Sequence, residues 1–211
     1  MPEEWFRTPG WDAAAQEDFE ARLRRAKPHN RAQYLRIKAG SLAASGEVDA
    51  ALTLLERVLN EYDSDVLQAP MARCQRAELL EDQGRLDEAE NEYRQVISIH
   101  QQVGHRYGNP ELRLAELLLR RGSRLAYQDA LNHLLHELPK MLRTSQRFRG
   151  AAVAARMHRE LGNREEARSL AVQALQIAEE PQHLLPRHPS LDADWKPDPE
   201  TTAVLHALAS E

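Results

Sequence analysis

Thiols, aromatic rings and lysines are all scarce in this sequence. Cys74 is the only cysteine among 211 residues. No disulfide can form within the chain, so stability has to come from packing. A lone thiol also fits a reducing cytoplasm. Phe, Trp and Tyr together make up 5%. Val and Ile are sparse and rarely alternate with polar residues, whereas Ala and Leu abound, which favours helices over sheets. No stretch approaches the roughly 18 consecutive apolar residues of a membrane span. The opening Met-Pro-Glu-Glu-Trp-Phe-Arg lacks the basic and apolar regions of a secretory signal. A strong excess of one charge is missing too. There are 28 basic and 33 acidic residues, for a net −5, which argues against a general nucleic-acid or membrane-surface binder. Lys27, Lys38, Lys140 and Lys196 are the only lysines; this preference for Arg is the bias of GC-rich coding and fits a bacterial source. With 42% hydrophobic and 29% charged residues, the chain has the composition of a globular protein with a sizeable core.

What the sequence does contain is a repeat. Ala39-Gly-Ser-Leu42 is followed by Gly46 and Ala51, and Ala77-Glu-Leu-Leu80 by Gly84 and Ala89. Ala115-Glu-Leu-Leu118 is followed by Gly122, and Ala155-Arg-Met-His158 by Gly162 and Ala167. The glycines at 46, 84, 122 and 162 stand 38, 38 and 40 residues apart, a period that signals stacked helical hairpins. Leu35, Ala39 and Leu42 form one helical stripe, and Ala51, Leu55, Val58 and Leu59 form a second. Gly46 ends the first helix, where a positive φ is wanted, and Asp49 stands in the expected N-cap region of the next. Ala39 and Ala51 mark the closest approach of the two helices. Ala77, Leu80, Ala89, Tyr93 and Val96 repeat the pattern. No single hairpin can bury its apolar face alone, so neighbours must stack.

These residues resemble the tetratricopeptide repeat family over roughly residues 31–180. The second unit matches best. Lys38 stands where the family usually has Leu. The third unit carries three extra residues between Gly122 and Ala130 and has Glu137 at a small-apolar position. The fourth has His158 in place of an aromatic residue and Ala171 in place of a bulky one. The resemblance implies an all-α, right-handed α-solenoid of stacked antiparallel hairpins at about 31–62, 68–103, 109–141 and 144–180. Segment 1–30 precedes it, with a capping helix over 11–26 that presents Ala15, Phe19, Leu23 and Ala26 on one face. Segment 181–211 follows. Its five prolines (181, 186, 189, 197, 199) predict an irregular stretch. Asp198-Pro199 then starts a last helix with an apolar face of Val204, Leu205 and Leu208. That helix has two places to go: over the open end of the stack, or back into the groove.

No catalytic, cofactor or metal constellation is present. The sequence has no Gly-rich phosphate loop, no Gly-X-Ser-X-Gly and no His-Glu-X-X-His. Cys74 reads as a small semi-buried residue without the base a reactive thiol needs. His133 and His136 lie one helical turn apart, and His183 and His188 fall in the proline-rich segment, but a structural zinc site wants four ligands. His158 reads as a packed histidine.

The resemblance implies instead that function lies on the concave face. The matching positions are Gln33 and Arg36 (with Gly40, Ala43 and Ala44) in unit one. Unit two contributes Met71, Cys74, Glu78, Glu81 and Asp82, and unit three Asn109, Leu112, Glu116, Leu119 and Arg120. Arg149, Ala152, Arg156, Arg159 and Glu160 come from unit four. This lining is acidic in the second unit and basic in the fourth, and suits an extended peptide with charges of both signs. The Lys and Asn set with which some members grip a chaperone's C-terminal carboxylate is lacking, so no such ligand is expected. The expected function is a non-enzymatic, cytoplasmic scaffold or adaptor that binds a protein or peptide and needs no cofactor. The alternative is an acidic or nucleic-acid ligand on the seven arginines of residues 141–170 (143, 147, 149, 156, 159, 164, 168), although no aromatics interleave there for base stacking. Self-association through an exposed end, giving a homodimer, is the further option.

Overall fold

The computed structural model describes residues 4–103, 108–180 and 195–211. Among the described residues there are ten α-helices and no strand. The chain divides into two compact units, Met1–Pro110 and Glu111–Glu211.

The first unit holds a short 3-10 turn, Trp5–Arg7, then α1 (Ala13–Arg25), α2 (Pro28–Ala44), α3 (Val48–Glu61), α4 (Gln68–Asp82) and α5 (Leu86–Val103). Asp12 caps α1 by accepting the Ala15 N–H at 2.8 Å. Phe19 and Leu23 of the expected face are buried, while Ala15 and Ala26 are half-buried. α2 starts a turn before its apolar stripe because Pro28 occupies the first turn, where its missing N–H costs nothing. Leu35, Ala39 and Leu42 of α2 meet Ala51, Leu54, Leu55 and Val58 of α3 in one core, joined by Phe19 and Leu23. Asp49 is not the cap of α3. The helix begins at Val48, and Asp49 lies within its first turn, where a carboxylate favours the positive end of the helix dipole.

The scarce aromatics are concentrated at this end. Phe6 stacks on Tyr34 with centroids 4.7 Å apart, and Trp5 lies 5.2 Å from Phe19. Lys38 is buried beside them at 1% exposure. Its ammonium donates to the Thr8 carbonyl at 2.6 Å and the Gly10 carbonyl at 3.0 Å, with the Trp11 ring 5.2 Å away. Burial pulls its pKa below the ordinary lysine value, and these acceptors hold the charged form. A lysine where a leucine is usual thus pins the N-terminal segment to α2. In the α4–α5 hairpin, Glu92 is buried and accepts from Arg73 at 3.0 Å and also from Arg76, and the Tyr93 hydroxyl donates to Glu81 at 2.5 Å.

The second unit contains α6 (Pro110–Arg121), α7 (Tyr127–Glu137), α8 (Thr144–Leu161), α9 (Arg164–Glu179) and α10 (Pro199–Ser210). The extra residues of the third repeat form a 3-10 turn, Arg124–Ala126, ahead of a short α7. Glu137 is half-buried and pairs with Lys140 at 3.0 Å, so the polar group at a small-apolar position has a partner. α8 passes close to the end of α7 at Gly150: a Cβ there would lie 2.7 Å from Leu138 Cδ1. Asp198 caps α10 through the Thr201 N–H at 2.8 Å, with Pro199 next. Leu205 and Leu208 are buried and Val204 is 39% exposed. α10 packs on α9 and α8. Segment 181–194, with His183, His188 and the first three of the five prolines, lies outside the described residues.

All four hairpins close in one way. The residue after the glycine donates to the carbonyl five residues back: Glu47 to Leu42 at 2.9 Å, Arg85 to Leu80 at 2.8 Å, Ser123 to Leu118 at 3.1 Å and Asn163 to His158 at 2.9 Å. The glycines have φ of 88°, 73°, 66° and 87°, the left-handed region such a helix end requires.

His158 is packed, as expected, with Nδ1 3.2 Å from the Asn163 side-chain amide. Burial lowers its pKa, and Glu166 opposes this weakly. A lowered folded-state pKa means that the unfolded chain binds the proton first, so stability falls as pH drops below the ordinary histidine value of about 6.5. Urea midpoints measured from pH 7.5 down to 5.5 should decline, by at most about 1.4 kcal/mol per pH unit for one proton. His158→Gln should flatten that component. Gly150→Ala should lower the melting temperature, because overpacking of about 1–3 kcal/mol outweighs a helix gain of about 1 kcal/mol. In a Leu138→Ala background the same change should become stabilising. Lys38→Met should cost about 1–3 kcal/mol in urea unfolding, since it leaves the Thr8 carbonyl without its donor.

Candidate functional site

The expected lining residues fall into two groups, one in each unit. In the first unit Arg36 reaches from α2 to α4. Its Nε donates to Gln68 Oε1 at 2.8 Å and its Nη1 to Gln75 Oε1 at 3.4 Å. Burial lowers the Arg36 pKa from its ordinary value, but a guanidinium stays charged near neutral pH. Arg36 is therefore a tie between helices. Gly40 follows one turn later, with the Gln75 side chain 3.5 Å from where a Cβ would sit. Met71 and Cys74 are half-buried, and Gln33, Glu78 and Asp82 are exposed. Glu81 is half-buried and accepts from Tyr93.

In the second unit the structure gathers six of the expected residues, Glu116, Leu119, Arg120, Arg149, Ala152 and Arg156, around a cleft of about 430 Å³. α6 supplies Arg113, Glu116, Leu119 and Arg120. α8 supplies Phe148, Arg149, Ala152, Val153 and Arg156, which recur at helical spacing along one face. The remaining wall is C-terminal: Trp195, Lys196, Asp198 and Thr201. The floor is apolar, with Trp195 tilted against Phe148 at a centroid distance of 5.3 Å. The rim carries five cationic side chains against two carboxylates.

Those carboxylates are already engaged. Arg149 grips Glu116 with two parallel bonds, Nε to Oε1 at 2.9 Å and Nη2 to Oε2 at 2.7 Å, the geometry in which a guanidinium–carboxylate pair is strongest. Asp198 accepts from the Thr201 N–H, and this backbone bond, with that of Glu200, lowers its pKa. Arg156 and Lys196 have no hydrogen bond or ion pair among the described residues.

Four of the expected residues, Leu112, Arg159, Asn109 and Glu160, lie outside this cleft, and Glu160 accepts from the Tyr127 hydroxyl at 3.1 Å. Leu112 is 1% exposed and belongs to the core. Arg159 pairs with Glu211 at 2.7 Å and is not part of the cleft wall. Asn109 is half-buried ahead of Pro110 and is not part of that wall either. The arginine-rich run is also less free than its composition implies. Arg147 makes a two-bond pair with Glu180 at 2.8 and 3.0 Å, and Arg168 donates to the Ala209 carbonyl at 3.1 Å. Sequence reading missed Arg113, Phe148, Val153 and the whole C-terminal wall. Arg113 and Val153 carry the signal of helical spacing from Glu116 and Arg149. Nothing local in the sequence marks Trp195 as a neighbour of Phe148.

No other constellation replaces this cleft. His133 lies 3.5 Å from Asp129, and His136 lies 2.6 Å from the Lys140 ammonium, so the two histidines have separate partners. Among the described residues no three His, Cys, Asp or Glu side chains gather as a metal set. No described helix is long and apolar enough to cross a membrane.

Sequence models of the tetratricopeptide repeat family match residues 71–103 and 152–180, and a second such model matches residues 32–57. The comparison with curated proteins gives no match. Among solved structures, BtubC (BKLC) from P. vanneervenii superposes with a TM-score of 0.65 at 13% identity, over 88% of this chain and 76% of that one. A putative kinesin light chain with nearly identical TPR-like repeats, from Podosopora anserina, gives a TM-score of 0.54 at 22% identity, over 78% of this chain and 85% of that one. At these identities the likeness speaks to the fold alone. Repeats of this kind generally serve as non-catalytic scaffolds for protein–protein interaction. The repeat matches in the first, second and fourth hairpins, with four turns of one kind and the shared all-α fold, show that the chain carries tetratricopeptide-type repeats over residues 32–57, 71–103 and 152–180.

Proposed function

We propose that this chain is a non-enzymatic, cytoplasmic adaptor that binds a peptide or protein partner, and that the cleft of the second unit is a principal contact. The carrying observation is the make-up of that cleft: an apolar floor of Phe148, Trp195, Ala152 and Val153 under a rim with surplus cationic charge. Such a surface can take an apolar side chain and the polar backbone beside it, as small binding sites commonly do. In the first unit, Gln33, Glu78 and Asp82 are exposed and form a separate candidate surface.

The alternative, a nucleic-acid track along the fourth repeat, draws less support. Phosphate binding needs a row of available cations, yet Arg147, Arg159 and Arg168 are fixed by partners within the chain. Only Arg149 and Arg156 of the seven arginines line the cleft.

A random twelve-residue peptide library selected on the purified protein tests the reading. Selected peptides should bind the wild type in fluorescence anisotropy and should bind an Arg149→Glu/Arg156→Glu variant of unchanged helical content at least tenfold more weakly. Equal binding to both proteins, or no enrichment over a scrambled control, overturns the cleft as the partner surface.

A further inference from the structure

The C-terminal residues of the cleft wall are not loosely placed. Asp198 and Pro199 start α10 just after Trp195 and Lys196, and Thr201 lies in its first turn. α10 is then held by buried Leu205 and Leu208, by the bond from Arg168 to the Ala209 carbonyl at 3.1 Å and by the Arg159–Glu211 pair at 2.7 Å. Trp195 and Lys196 therefore reach the cleft from a helix anchored in the same unit. A wall built this way has lost its conformational entropy before any ligand arrives, which favours binding.

The charges of the cleft are unequally engaged. Glu116 faces Arg149, with Arg113 3.8 Å away. Asp198 is turned to its own helix start. Arg156, from α8, and Lys196, from the C-terminal segment, line the same cleft and have no hydrogen bond or ion pair among the described residues. Two like charges facing a small, partly apolar space raise the potential there, and an incoming anion relieves it. Trp195 against Phe148 supplies the apolar seat beside that charge.

We propose that the segment Trp195–Asp198 is a working wall of the binding site, and that Arg156 and Lys196 together take a side-chain carboxylate of the bound peptide while Trp195 seats the apolar residue next to it. This rests on the adaptor reading above and adds the ligand's chemistry and the element that completes the site. Lys196 and Trp195 lie outside the repeats, so the hairpins alone do not make the site.

The test uses the full chain and three labelled nonapeptides of Ser and Ala: one with a central Glu-Leu-Glu, one with Gln-Leu-Gln and one with Glu-Ala-Glu. A nine-residue oligo-dT is the fourth probe. In anisotropy at low salt the Glu-Leu-Glu probe should bind at least tenfold more tightly than the other three. Arg156→Gln/Lys196→Gln should abolish the preference for Glu over Gln, and Trp195→Ala the preference for Leu over Ala. Arg164→Gln, which removes another exposed arginine without an ion pair, should change neither. Equal binding of the Glu and Gln probes overturns the proposal, as does tighter binding of the oligo-dT. Unchanged or improved binding by Trp195→Ala also overturns it, and improved binding would make the segment a plug. If library-selected peptides still depend on Arg149 and Arg156 while the Trp195 and Lys196 variants have no effect, only the wall assignment fails. If no peptide binds at all, the adaptor reading fails with it.

Discussion

Four glycines with positive φ set the geometry from which the rest follows. At each of them the chain leaves one helix, satisfies two of its last carbonyls through the glycine N–H and the next N–H, and enters the following helix antiparallel. Because all four turns are built alike, the small residues that flank them recur at equivalent places. Ala39 and Ala51, Ala77 and Ala89, and Ala155 and Ala167 are each buried to 1% exposure or less. Small buried side chains at these places and the leucines buried around them make up the apolar core, which is the main source of stability in a chain without disulfides. A side chain with a Cβ at the turn would strain the backbone even though nothing crowds the space around Gly46, Gly84, Gly122 or Gly162.

Buried polar groups mark where this sequence departs from its repeat pattern, and each has a local reason. Lys38 replaces an apolar residue because the N-terminal segment turns two carbonyls towards it. A leucine there would leave those carbonyls without donors, so the lysine and the N-terminal aromatic cluster belong together. Glu92 accepts from two arginines of the neighbouring helix, and His158 meets the amide of Asn163. Such groups are tolerable inside a protein only when paired, and among the described residues no buried side-chain nitrogen or oxygen lacks a partner.

The same bookkeeping of partners organises the surface charge. Exposed ion pairs add little to stability, but they decide which arginines remain available. Glu116, Glu180 and Glu211 each occupy one arginine of α8. Composition alone presents the fourth repeat as a broad cationic surface. After pairing, the cationic groups at the cleft without an ion-pair partner are Arg156 and Lys196, which narrows a diffuse attraction to a local one.

The fold was legible from sequence to a large extent, because its determinants are local. A glycine at the helix end, a small residue five or so positions on and an apolar stripe at helical spacing all act within one hairpin, and the period repeats them. The caps at Asp12 and Asp198 are local in the same sense. Nearly half of the cleft was legible as well, since Glu116, Leu119, Arg120, Arg149, Ala152 and Arg156 follow from helix register once the hairpins are assigned. The rest required tertiary structure. Leu112 and Arg159 share that register with true lining residues, yet packing buries one and Glu211 occupies the other. Trp195 and Lys196 come from a proline-rich segment with no periodicity, and only the docking of α10 on α9 brings them to Phe148. Sequence by itself thus determined the helices, their turns and the faces they bury, because those depend on neighbours a few residues away. Tertiary structure decided which charges stay unpaired and which distant segment closes the cleft, because both depend on contacts between residues some 30 to 50 positions apart, such as Arg149 with Glu116 and Trp195 with Phe148.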